Sequence, residues 1–254
     1  MHDIKMIKAI YNMLDDVAAI FRNRITYSKK SSILRDYIKI LCYNKNKKEI
    51  KISSFRIKYF DYELFKCLYK DIFIKNDYLF MSEKEDPLII DCGSNIGMSI
   101  LFFKKLYPKS KIIAFEPDEN AFRLLRENME INKIKSVEAH NVALNNKPGF
   151  IDLYTENCLM GSLRTNTTES RLESSKIVIK KVKSEVLSKY INKNVDLLKM
   201  DVEGAEPLII EELNKENKLK LILNSGTLKE KGFTLKNLAK FFRADSSTGR
   251  ASRS

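Results

Sequence analysis

The heptapeptide Asp91-Cys92-Gly93-Ser94-Asn95-Ile96-Gly97 limits the fold more than any other part of this 254-residue chain. Leu88–Cys92 reads as a short buried strand, and Gly97–Tyr107 reads as an apolar helix with Lys104 and Lys105 toward water. Two glycines between such elements let the backbone turn sharply and come close to a ligand, because a Cβ there would collide. Lys111–Phe115 is a second strand, stopped by Pro117, with Asp118 placed to cap a helix over Glu119–Asn132. Glu116 closes that strand 23 residues after Gly93, where a carboxylate can accept hydrogen bonds from two ribose hydroxyls. A glycine turn alone is weak evidence. Strand, turn, helix, strand and acid in register are strong evidence for a nucleoside-binding βαβ unit.

The glycine spacing is G-x-N-x-G, not the G-x-G-x-x-G that clears room for a pyrophosphate at a helix N-terminus. Asn95 would crowd that room. An adenosine ligand without phosphates fits better, and S-adenosylmethionine is the expected cofactor, with a nicotinamide dehydrogenase disfavoured. Asp91, Gly93, Asn95, Gly97 and Glu116 are the candidate cofactor residues on this side.

Further along, Ser136–Leu144 is expected as a third strand, Phe150–Tyr154 as a short fourth and Val195–Met200 as another buried one. A helix is expected around Pro207–Leu213, with the proline in its first turn. Strands alternating with helices predict an α/β, Rossmann-like, mostly parallel sheet with helices on both faces, its ligands at the carboxyl ends of the strands. Before it, residues 3–23 repeat apolar positions at helical spacing, Glu49–Ile52 and Phe55–Tyr59 alternate as a hairpin, and Asp61–Phe73 is helical. The expected organisation is an α+β cap over residues 1–80, a Rossmann-like domain over 81–242 and a disordered polar tail over 243–254.

Composition narrows the function classes. The net charge is +13, and residues 1–80 carry 17 basic and 9 acidic side chains, or +8 of the excess. Lysine is spread singly among Asn and Ile, and no RNA-binding signature or zinc-finger spacing is present, so nucleic acid is not the expected partner. Four scattered cysteines and two histidines argue against a structural zinc site or a disulfide framework. No apolar run reaches the ~18–20 residues of a membrane span and no secretory signal pattern opens the chain, so a soluble, cytoplasmic protein is expected.

A second chemical site is Asp201-Val202-Glu203-Gly204-Ala205-Glu206, at the end of the 195–200 strand. Methyl transfer to a hydroxyl needs the proton removed as the oxygen attacks, and a carboxylate near the methyl group can take it. In an extended segment Asp201 and Glu203 share a side, so they could act as a base or hold a divalent cation. Glu203 and Glu206 could instead simply complement the positive end of the following helix. His140 is a weaker candidate for a base, and Asn141 either contacts the ligand or satisfies nearby backbone. Tyr154 and the polar loop 156–175, with Gly161-Ser162, are candidates for shaping an acceptor pocket by position alone.

Taken together, DCGSNIG at 91–97, AFEPD at 114–118, ENMEIN at 127–132, NVAL at 141–144 and VDLLKMDVEGAE at 195–206 resemble the FkbM family of methyltransferases. The resemblance covers about residues 85–213, and DVEGAE is its most specific block. It implies an S-adenosylmethionine-dependent enzyme that methylates a hydroxyl, with a carbohydrate as the expected acceptor. It also implies contacts to the methionine end of the cofactor at Asp91 and Gly93 and to ribose at Glu116. By analogy with the fold, Val142 and Ala143 lie near adenine. Family members usually carry a Glu-x-His-type motif after the last block, where this sequence has Leu221-Ile222-Leu223-Asn224-Ser225-Gly226. Lys220–Leu223 is read as a fifth strand and Phe233–Phe242 as a helix, with too little chain left for the two strands that usually complete the sheet. A domain that binds cofactor or partner without turnover is therefore the alternative expectation.

Overall fold

The computed structural model describes residues 2–22, 27–156, 177–202, 204–223 and 227–230. The chain opens with two helices, α1 (His2–Arg22) and α2 (Tyr27–Leu41), then a hairpin of β1 (Glu49–Ile52) and β2 (Phe55–Lys58). Its register pairs Ile52 with Phe55 across a two-residue turn, and Ser53 takes φ 44° there. That left-handed conformation is costly for a residue with a Cβ. Asp36 on α2 compensates by accepting the Ser53 N–H at 2.8 Å and its hydroxyl. Asp61 caps α3 (Tyr62–Tyr69) through the Leu64 N–H at 2.8 Å, and the helix widens into a π turn over Lys70–Ile74. Helix and turn together cover the expected Asp61–Phe73 segment.

From β3 (Leu88–Cys92) the chain alternates with α4 (Met98–Leu106), β4 (Lys111–Phe115), α5 (Glu119–Ile131) and β5 (Val137–His140). It returns through β9 (Leu197–Met200), α6 (Glu206–Lys215), a short α7 (Leu219–Leu223) and β10 (Thr227–Glu230). These five strands form one fully parallel sheet in the order β10-β9-β3-β4-β5. The order reverses direction between β3 and β9, which opens a crevice at their carboxyl ends. The expected Rossmann-like α/β arrangement is observed.

Alternation along the strands sends neighbouring side chains to opposite faces. Ile89, Ile112, Ala114 and Leu197 enter one core with α4, α5 and the buried residues of α1 to α3. Leu88, Ile90, Phe115, Leu198 and Met200 enter another, closed by Leu187, Ile209, Leu213 and Ile222. The first eighty residues therefore share the core of one sheet face. The contact also runs through backbone groups. The side-chain amide of Asn128 on α5 accepts from Lys58 N at 2.8 Å and donates to Lys58 O at 3.0 Å, completing the β2 edge as another strand would.

Three expectations change. Ser136–Leu144 is not one strand: β5 ends at His140, and β6 (Ala143–Leu144) turns away to pair parallel with β8 (Ile177–Glu185). Asn141 makes the break by donating to the Glu116 and Pro117 carbonyls at 2.8 and 3.1 Å. The fourth strand is longer than expected, as β7 (Gly149–Glu156), and pairs antiparallel with β8, for which no strand was anticipated. Lys220–Leu223 lies in α7, where Leu219 and Ile222 bury at i, i+3 spacing, and the fifth strand of the sheet is β10 instead. The expected 233–242 helix, the 157–175 part of the acceptor loop and the 243–254 tail lie outside the described residues.

Candidate active site

The strand registers bring the sequence candidates to one rim. Cys92 lies beside Phe115 and Met200, Phe115 lies beside His140, and Met200 lies beside Glu230. The residues that follow β3, β4, β5 and β9, at 93–97, 116–118, 141–143 and 201–202, leave the sheet at the same level.

The glycine loop is held from below. Phe115 O accepts from both Gly93 N and Ser94 N at 2.9 Å, and Ser94 Oγ donates to Asp91 O at 2.9 Å. Gly93 has φ +82°, and a Cβ there would lie 2.1 Å from the carbonyl oxygen of Asp201. Glycine is thus demanded twice, by conformation and by the close approach of the 201 loop. Gly97 has φ +87° at the start of α4, where a Cβ would meet Leu125 Cγ at 3.4 Å.

Glu116 is buried behind this loop. One oxygen accepts Asn95 N at 2.7 Å and the other accepts Asp118 N at 2.9 Å. Burial pushes its carboxyl up to about 7, against the pull of those two N–H groups. Each oxygen still has a lone pair to offer, which is the acceptor set a ribose diol requires. The site's chemistry therefore fits an adenosine-bearing cofactor. Asn95 takes part through its backbone, at φ 48°, while its side-chain oxygen accepts from Ile96 N at 2.7 Å. Val142 and Ala143 are buried at the β5–β6 break, on the same rim.

Asp91 lies behind the glycine loop at the end of β3. It is fully buried, its Oδ2 accepts from Ser99 Oγ at 2.5 Å, and its Oδ1 pairs with Lys199 Nζ at 2.9 Å. Lys199 also donates to the Gly93 carbonyl at 2.6 Å. Burial alone would lower the Lys199 ammonium, but Asp91 and Asp201 hold it above its ordinary value. Asp91 thus acts on the loop through Lys199.

Asp201 stands at the mouth of the crevice, half-buried, with its Oδ2 accepting from the Tyr78 hydroxyl at 2.7 Å. Lys199 Nζ lies 5.0 Å from the centroid of the Tyr78 ring. Burial, and then the Asp201 charge, push the Tyr78 phenol far above its usual range, so it remains a donor. Neither Tyr78 nor Lys199 was a sequence candidate. A lysine inside the apolar run Leu197–Met200 was the visible signal, since a charge is seldom buried without a partner. No comparable signal marks Tyr78.

The remaining carboxylates are divided. Glu206 accepts from Val202 N at 3.0 Å and Gly204 N at 2.7 Å, which makes it the brace of its own turn. Glu203 lies outside the described residues. His140 pairs with Glu138 at 2.9 Å and stacks on Phe115 at 5.2 Å. Among the described residues, no group of three or more His, Cys, Asp or Glu is drawn together as a metal site.

The family model described as the methyltransferase FkbM domain matches residues 91–233. Methyltransferase 1 of Beauveria bassiana is 34% identical over 169 residues, which is 59% of this chain and 68% of that protein. The 2-O-methyltransferase NoeI of Sinorhizobium fredii is 31% identical over 142 residues, covering 50% of this chain and 58% of that protein. A solved FkbM methyltransferase from Methylobacillus flagellatus aligns at 15% identity with a TM-score of 0.38, over 57% of this chain and about a third (32%) of its own length. The chain belongs to the FkbM methyltransferase domain family.

Proposed function

We propose that this protein transfers the methyl group of S-adenosylmethionine to a hydroxyl of a carbohydrate acceptor. The observation that carries this reading is the meeting of a glycine loop, a buried ribose-type acceptor and a half-buried Asp201 along one strand-end rim. Glu116 would hold the ribose, the 93–97 loop the methionine end, and Val142 and Ala143 the adenine side. Bound there, the cofactor supplies an electrophilic methyl group.

The chain's own residues supply orientation and a place for the proton. Tyr78 occupies Asp201 Oδ2, which leaves Oδ1 to accept the proton of an attacking hydroxyl. The similarity to a protein named as a 2-O-methyltransferase supports oxygen as the methylated atom. The basic first eighty residues lie beside the crevice through Tyr78, which suits an acceptor bearing acidic groups.

Calorimetry with S-adenosylhomocysteine tests the cofactor half, and transfer of a radiolabelled methyl group to cell-envelope glycan fractions tests the acceptor half. Binding without transfer to any hydroxyl-bearing fraction would reject the acceptor assignment. Absence of binding by a folded protein would reject both.

A further inference from the structure

A parallel sheet of this kind normally has both faces covered by helices. Here the chain leaves the sheet after β5 to build β6, β7 and β8. Among the described residues it returns over the β4–β5 side as a one-turn 3₁₀ helix, Leu187–Tyr190. Leu187 is buried in the core, but Ile113 on β4 stays only partly covered. Between sheet and turn lies a cavity of about 580 Å³, with Leu88, Ile113 and Tyr190 among its lining residues. That volume falls within the roughly 300–1,000 Å³ of small-molecule sites. The cavity is separate from the crevice. Its strand residues come from the amino ends of β3, β4 and β5, whereas Tyr190 packs on Phe115 and His140 at the carboxyl ends, with ring centroids 4.8 and 4.7 Å apart. Tyr190 therefore closes the cavity on the crevice side.

We propose that this cavity is a second ligand site, for a small aromatic anion. Charge selects the anion. Lys111, Lys189 and Lys193 line the cavity against one lining acid, Glu138, three positive groups to one negative. Each lysine can turn to a ligand without stranding a buried carboxylate. Lys193 is exposed and has no ion-pair partner among the described residues. Lys111 pairs with Asp86 at 2.8 Å, but both side chains are more than half exposed, which makes the pair weak. Glu185 holds Lys183 at 2.7 Å as well as Lys189 at 3.1 Å, so it keeps a cation if Lys189 turns inward. Shape selects the ring. Leu88 and Ile113 belong to one flat side-chain layer of the sheet, and the Tyr190 ring stands over it, so a planar apolar group has two surfaces to lie against. A polyanionic chain would call for lysines strung along a surface, whereas these three border one hollow.

Calorimetric titration of the full-length protein with 1-naphthyl phosphate tests the site. The probe should bind at a single site with a dissociation constant of about 0.1–1 mM, the range open to a ligand of that size. Lys193→Glu should weaken binding by roughly tenfold or more with an unchanged melting temperature, because Lys193 is exposed. Lys47→Glu, exposed in the N-terminal segment, should leave binding unchanged. Inorganic phosphate and 1-naphthol, each lacking one half of the probe, should both bind at least about tenfold more weakly. Saturating S-adenosylhomocysteine should alter the affinity for the probe by less than about twofold. No binding up to about 10 mM probe, undiminished binding by Lys193→Glu, or equal binding of either half overturns the assignment. Competitive displacement by S-adenosylhomocysteine also overturns it, by placing the probe in the crevice. The lysine variants are read without S-adenosylhomocysteine, so their result stands whether or not methyl transfer is found.

Discussion

The Tyr78 hydroxyl donates to Asp201 Oδ2 at 2.7 Å, joining positions 123 residues apart. The contact makes the end of the N-terminal segment part of the crevice wall. Removing only the hydroxyl, as Tyr78→Phe, should cost about 2 kcal/mol in urea denaturation, as expected for a hydrogen bond to a charged group. Radiolabelled transfer should fall by roughly tenfold, because Asp201 loses the hydroxyl that aims it. Calorimetric affinity for S-adenosylhomocysteine should stay within about twofold. Unchanged transfer would remove Tyr78 from the reaction.

Glu116 makes stability and cofactor affinity respond to pH in opposite directions. The folded protein keeps a proton there up to about 7, whereas the unfolded chain releases it near 4.5. Between those values the folded state binds more protons. This contribution is therefore complete below 4.5 and lost as pH rises to 7, for a total of about 3 kcal/mol. Urea midpoints measured between pH 5 and 8 should show the decline, and Glu116→Gln should flatten it. Affinity for S-adenosylhomocysteine should instead rise from pH 6 to 8, since the ionised carboxylate is the better acceptor for two hydroxyls. A flat binding curve in the native protein would separate Glu116 from the ribose.

Gly93 and Gly149 offer a matched comparison. Both have positive φ, at +82° and +148°, but an added Cβ collides with the Asp201 carbonyl at the first and meets nothing within 4 Å at the second. Gly149→Ala should cost about 1 kcal/mol, from backbone strain alone. Gly93→Ala should cost at least about 3 kcal/mol and abolish S-adenosylhomocysteine binding, because the 93 and 201 loops must part. Equal melting temperatures for the two variants would contradict the close approach.

The buried Asp91–Lys199 pair should behave as one unit. Lys199→Met strands a carboxylate without its cation and should destabilise the protein by about 3–5 kcal/mol. Adding Asp91→Asn should recover part of that loss while the Gly93 carbonyl remains without its lysine, so cofactor affinity stays low. Urea melts of the four proteins in the double-mutant cycle measure the coupling.

Local spacing made half of this site legible. Gly93, Gly97 and Glu116 follow from the geometry of one βαβ unit, and the Asp118 cap is a short-range signal that the structure reproduces at Asn120 N and Ala121 N. What spacing could not carry was the direction in which a side chain turns once it is buried. The Asp91 carboxylate turns to Lys199, a partner that local spacing did not announce, because a carboxylate in a parallel core needs a cation more than it needs solvent. Tyr78 and Asn128 act across long sequence separations, where no periodicity reports a partner. β8 escaped because lysines fill many of its positions, and the break at Asn141 depends on two carbonyls supplied by another strand's end.

Alternate residues of β3 feed two separate cores, so the strand that carries the glycine loop is gripped independently from either side. Truncating Ile89 should loosen one grip and truncating Ile90 the other, while each leaves the opposite layer packed. The loop would then keep its anchor through the partial opening of either half. Slow amide exchange at Cys92 and Gly93 should therefore outlast that of the helices on both faces, making the cofactor end of the sheet the last part of the molecule to come undone.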